Sequence, residues 1–165
     1  MFSIEWASLF SSLPGEISTL LVAMIPIAEL RVALPMALGP YKLPLFEAFI
    51  WSFIGNMIPV FFILWFLEPV SRFLMKKSRF FNKFFNWLFD RTRRKFTKNT
   101  ERYGVVIALI LFVAIPLPVT GAWTGSVAAF LFAVSYKKAI LSIALGVLIA
   151  SFVVGSLYFG AISLF

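Results

Sequence analysis

The sequence predicts an all-α integral membrane protein made of two inverted repeats. Each repeat is a re-entrant helical hairpin followed by a transmembrane helix, and amphipathic helices lie in the membrane interface. Three observations lead there. Of 165 residues, 61% are hydrophobic and 21 are Phe, more large apolar groups than a soluble domain of this length can bury. Two apolar stretches are each broken midway, at Met24-Ile25-Pro26-Ile27-Ala28-Glu29-Leu30-Arg31 and, ninety residues later, at Ala114-Ile115-Pro116-Leu117-Pro118-Val119-Thr120-Gly121. Breaks at matching places in two halves signal an internal repeat with irregular backbone inside the bilayer. Finally, eleven of the fifteen cations fall between Arg72 and Arg102, interleaved with Phe, Trp and Leu. That pattern suits a membrane surface and argues against a nucleic-acid groove.

The chain reads as one membrane domain over 1–165. Residues 1–14 place Phe2, Trp6, Leu9, Phe10 and Leu13 on one helical face, too short to span, and are expected to lie in the interface. Met1-Phe2-Ser3-Ile4-Glu5 lacks the positive region of a secretory signal, so the whole chain is expected to be mature. The first repeat covers 15–70. Within it, 16–39 is interrupted by Pro26 and Pro35, and 44–67 is long enough to cross, about 36 Å at about 1.5 Å per residue, before Glu68-Pro69 is expected to stop it. At 24 residues the first stretch is also short enough for one kinked transmembrane helix, so re-entry and spanning both stay open.

Residues 71–103 form a basic amphipathic connector. Phe81, Phe84, Phe85 and Leu88 occupy one face, Arg79, Asn82, Lys83, Asn86 and Asp90 the other, and Arg91-Thr92-Arg93-Arg94-Lys95 follows. Its cations place it on the cytoplasmic side. The second repeat covers 104–165. Its first 31 residues are apolar, about 46 Å as a single helix, too long for one span, and the break falls near their centre. A hairpin there also keeps Lys137 and Lys138, in the polar turn Tyr136-Lys137-Lys138, on the same side as the connector. Residues 139–164 form the last span, with Ser142, Gly146 and Ala150 as a small-residue stripe. Between the repeats, Ile25-Pro26 matches Ile115-Pro116, Tyr41-Lys42 matches Tyr136-Lys137, and Gly55 matches Gly146.

Several chemistries are excluded. The chain has no Cys and no His, which removes thiol catalysis, disulfides, Ser–His pairs and the commonest zinc ligands. It carries no phosphate-binding Gly-x-x-x-x-Gly-Lys-Ser/Thr loop. No cofactor, metal, nucleic acid or enzymatic activity is expected.

Glu29 and Arg31 are the sharpest candidates, because each charge at mid-bilayer costs about 2.5–3.5 kcal/mol and needs a partner or a task. Two positions apart on a regular helix they would not meet; in a tip unwound beside Pro26, with Pro35 nearby, both can face one cavity. Arg31 would hold an anionic group while Glu29 carries a proton or meets a cation; the plainer reading is a buried salt bridge pinning the tip. The second tip offers Pro116, Pro118, Thr120, Gly121, Trp123 and Thr124. A half-helix starting near Thr120 would present its positive end to an anion, and Trp123 would stack on a ligand or mark a lipid boundary. Asn56, in the middle of 44–67, and Pro59 would bend that span around the site.

Ile-Pro-Ile-Ala-Glu-Leu-Arg-Val-Ala-Leu-Pro-Met-Ala at 25–37, Ile-Pro-Leu-Pro-Val-Thr-Gly-Ala-Trp-Thr-Gly-Ser at 115–126 and the Gly55-Asn56 pair resemble the small multidrug export protein family, over about residues 20–160. The resemblance implies export of small molecules. More distantly, Glu29, Gly39, Phe112, Pro116 and Gly121 resemble hairpin motifs of the DedA superfamily, some members of which move phospholipid or polyprenyl phosphate. That superfamily usually carries arginines in its second hairpin, whereas residues 112–126 here contain none.

The expected protein is a small secondary transporter, with proton coupling open and its site between the two tips. The alternatives are a lipid or polyprenyl-phosphate flippase and a structural membrane protein without substrate. It would sit among membrane lipids in the cytoplasmic (inner) membrane of a bacterium or archaeon. A homodimer is expected, since so short a chain offers few cavity walls.

Overall fold

The computed structural model describes residues 10, 12–117 and 120–163, and these form helices with no strand among them. The helices are α1 Gly15–Met24, α2 Glu29–Leu38, α3 Leu45–Lys77, α4 Arg79–Tyr103, α5 Val105–Ala114, α6 Ala122–Leu131 and α7 Tyr136–Ser163. The interfacial helix expected over 1–14 falls almost wholly outside the described residues, and so does Pro118.

The order short, short, long therefore occurs twice, before and after α4. In both halves the first short helix ends for one reason. Ile25 and Ile115 each precede a proline, whose ring disfavours the α conformation one residue upstream, and both are extended, at φ −77°, ψ 129° and φ −83°, ψ 112°. Each short helix has ten residues, about 15 Å at about 1.5 Å per residue, half a hydrocarbon core. Segments Leu45–Leu67 of α3 and Tyr136–Ala161 of α7 are long and apolar enough to cross a membrane. Their outer faces carry Phe46, Trp65 and Phe152, 74%, 72% and 67% exposed. Apolar surface so extensive belongs against lipid.

Pairing repeats as well. The first short helix of each half packs on the long helix of its own half, α1 on α3 and α5 on α7. The second also packs on the long helix of the other half, α2 on α7 and α6 on α3. Gly55 and Gly146 are each the eleventh residue of their long helix. A methyl group on Gly55 would overlap the Leu20 carbonyl and come within 2.8 Å of the Ala23 side chain. On Gly146 it would approach the Ile110 carbonyl to 2.9 Å and Val113 to 2.7 Å. The contacted residues are again ninety apart. Gly55→Ala and Gly146→Ala are each expected to lower stability in detergent by about 1–3 kcal/mol, the range for overpacking. Gly160→Ala, where a methyl group meets nothing within 4 Å, should leave the melting temperature unchanged.

Four sequence expectations need correction. Pro35 does not interrupt the first stretch: it is the seventh residue of α2 and removes only the N–H that would bond to the Arg31 carbonyl. Glu68-Pro69 does not end α3, which continues through Pro69 to Lys77 because the residues that follow supply no turn. The stop comes at Ser78, which is extended (φ −147°, ψ 133°) and whose hydroxyl accepts from the Phe80 N–H at 3.3 Å, opening α4. Tyr136 opens α7 and is not a turn residue, so it corresponds to Leu45, and the Tyr41-Lys42 match is out of register. The aromatic face of α4 is also turned. Phe85 is buried and stacks on Phe89, which meets Phe130 of α6, while Phe80, Phe84 and Trp87 face outward.

Candidate functional site

The two breaks, residues 25–28 and the described residues 115–117 and 120–121, meet. Glu29 follows the first with φ +46°, a left-handed conformation rare outside glycine. This turn is why Glu29 and Arg31, two residues apart, can pair: Arg31 Nη2 donates to Glu29 Oε2 at 3.3 Å. Glu29 is buried, whereas the Arg31 side chain keeps 21% of its surface.

Helix termini leave backbone groups without partners, and each break supplies what the other lacks. The Trp123 backbone N–H, in the first turn of α6, donates to Glu29 Oε1 at 3.2 Å. The Trp123 indole Nε1–H donates to the carbonyl of Met24, the last residue of α1, at 3.1 Å. Arg31 Nη1 donates to the Leu117 carbonyl. The positive end of α6 is thus already met by a carboxyl group, the chain's own Glu29. Trp123 is a bridge between breaks.

Gly121 makes this approach possible. Its φ of +151° lies outside the range of ordinary side chains, and a methyl group there would overlap the Glu29 carboxylate. Thr120 shapes the second break: its hydroxyl accepts from the Leu117 N–H at 3.2 Å and lies 2.6 Å and 2.8 Å from the Ile115 and Leu117 carbonyls. With one proton, it donates to one of them at a time. Thr124 Oγ donates to the Gly121 carbonyl at 3.4 Å.

Three cavities adjoin at Arg31. The largest, 540 Å³, is walled by Pro26, Glu29, Arg31, Thr120, Trp123 and Thr124 together with Ile27 and Val32. A waist of 10 Å³ lies behind it, where Glu29, Arg31, Thr120 and Gly121 meet Asn56 and Pro116. That is about the smallest space that holds a water. Asn56 is buried and its Oδ1 has no hydrogen-bond partner among the described residues. Beyond the waist a chamber of 340 Å³ is lined by Arg31, Pro35, Pro116 and residues of α7.

The structure thus gathers the expected site residues it describes, Pro26, Glu29, Arg31, Pro35, Asn56, Pro116, Thr120, Gly121, Trp123 and Thr124, around one charge pair. Sequence reading missed the Leu117 carbonyl and Tyr158, which lines the 340 Å³ chamber. A backbone acceptor leaves no mark in side-chain identity, and Tyr158 reads as an interface aromatic near the end of a span.

Residues 29–153 match the family model described as "Putative small multi-drug export protein". No curated protein and no solved structure matches the chain.

Proposed function

The chain belongs to the small multi-drug export protein family, and on that premise we propose that it is a secondary transporter whose cargo passes between the two breaks, with Glu29 as the proton-carrying group. One observation carries the reading: two helix breaks, packed among two helices of spanning length, hold a buried Glu29 and its half-buried partner Arg31 on the wall of a 540 Å³ cavity. Charge at that depth is costly, and a purely structural pin would have no need of a cavity beside it.

In this reading each pair of ten-residue helices is a re-entrant hairpin reaching the midplane, and the halves are inverted copies. Their length and their reciprocal packing support this. The cations of α4 put that helix on the cytoplasmic face, where outward Phe80, Phe84 and Trp87 sit among lipids, with the Arg91 guanidinium 5.1 Å from the Trp87 ring centre. The exposed apolar faces of α3 and α7 give a second copy a place to pack. Alternating access requires Glu29 to let go of Arg31 and Trp123, and a proton on the carboxylate is what weakens both bonds.

Glu29→Gln tests this, since the amide keeps the shape and an acceptor for Trp123 but takes up no proton. Proteoliposomes carrying an imposed pH gradient would be assayed for uptake of amphipathic dyes of either charge. Gradient-driven uptake should fall at least tenfold in the variant, with its melting temperature within a few degrees of the parent. Equal gradient-driven uptake by the two proteins would sink the proton role.

A further inference from the structure

The 540 Å³ cavity and the 340 Å³ chamber share Arg31 but differ in charge. The cavity has Glu29 and Arg31 in its wall. The chamber is lined by Arg31, Pro35, Pro116, Val154, Leu157 and Tyr158. Its one charged group is the guanidinium, its second polar group is a phenol, and the rest is apolar. We propose that this chamber binds an amphipathic monoanion, with its headgroup on Arg31 and Tyr158 and its apolar body against Pro35, Val154 and Leu157.

A guanidinium has five N–H donors. Among the described residues Glu29 and the Leu117 carbonyl take two of them, and the other three have no partner there. The Tyr158 hydroxyl makes no hydrogen bond among the described residues, and a methyl group on Gly39 would come within 3.0 Å of it, so the phenol oxygen faces the end of α2. An anion gains charge-assisted bonds in such a place. A cation meets a like charge, and a neutral molecule gains no charge-assisted bond. The volume is at the lower end of the range for ligand pockets, about 300–1,000 Å³, which suits a one-ring acid or the headgroup region of a lipid.

The inference rests on the transport reading for its purpose, since Arg31 lines the cavity, the 10 Å³ waist and the chamber alike and is bonded to the Leu117 carbonyl. An anion arriving at Arg31 competes directly for that bond. Binding, however, can be measured without transport.

Three isosteric probes, 4-tert-butylbenzoate, 4-tert-butylbenzyl alcohol and 4-tert-butylbenzylamine, would be titrated calorimetrically into the full chain in phosphatidylcholine nanodiscs. The benzoate should bind at least tenfold more tightly than the other two. Tyr158→Phe should weaken it about tenfold or more without moving the melting temperature, the effect of one hydrogen bond to a charged group. Arg31→Lys should weaken it at least as much, because a point charge replaces the fork. Repeating the titration in nanodiscs containing phosphatidylglycerol separates the sources of anion. A drop in apparent benzoate affinity assigns the chamber to a lipid headgroup, and an unchanged value assigns it to a soluble acid. Equal affinity for all three probes, or undiminished benzoate binding by Tyr158→Phe, overturns the proposal. Either result would leave the Glu29 reading standing, because that reading is tested by proton-driven uptake.

Discussion

Arg31→Ala should destabilise the protein by about 3 kcal/mol, the low end of the range for breaking a buried ion pair, because Arg31 retains 21% of its side-chain surface. The loss has two sources. Glu29 is left buried with only the Trp123 N–H as partner, and the Leu117 carbonyl loses the donor that ties the breaks together. The second source cannot be repaired from the Glu29 side, but the first can. Adding Glu29→Gln to Arg31→Ala removes the stranded charge, so the double variant should be more stable than Arg31→Ala alone. A four-protein thermal cycle in detergent reads this directly. A double variant as unstable as the sum of the two singles would mean that the pair has no energetic coupling.

Gly121→Ala should cost about 2–3 kcal/mol, as overpacking against a group that cannot retreat. The methyl group overlaps the Glu29 carboxylate, which is held by the Trp123 N–H on one side and Arg31 on the other, and the backbone at φ +151° resists any L side chain. Shortening Glu29 should relieve the steric part. Gly121→Ala combined with Glu29→Ala is therefore expected to lose less than the two single losses added together. Additive losses would show that Gly121 acts through its own backbone alone and not through contact with Glu29.

Much of this arrangement was legible in the chain itself. Ile-Pro at 25–26 and 115–116 locates both breaks because the constraint is local: a proline disfavours the α conformation in the residue before it. Glu29 and Arg31 stand out because charge is expensive in an apolar stretch. Gly55 and Gly146 were matched by spacing, and each proves to admit a neighbouring helix against its backbone. What stayed hidden depends on distant parts of the chain. Nothing near Glu29 announces a left-handed backbone, which is sustained by the Trp123 N–H and Arg31. Thr120 read as the start of a helix with an open positive end, yet the helix starts two residues later and its carboxyl partner comes from ninety-odd residues upstream. Pro35 and Pro69 read as breakers, but the proline effect is a bias on the preceding residue, and both stand inside helices that continue past them.

The close glycine contacts divide the molecule mechanically. α1 packs closely on α3 at Gly55, and α5 on α7 at Gly146, so on the transport reading each pair would move as one stiff lever. α2 and α6 reach across and rest on the opposite lever. If the transport reading holds, a swing of one lever against the other is absorbed at the breaks, beside which Glu29 and Arg31 stand at the start of α2. A proton taken up by Glu29 would then act at the joint itself, and both long helices would respond to it.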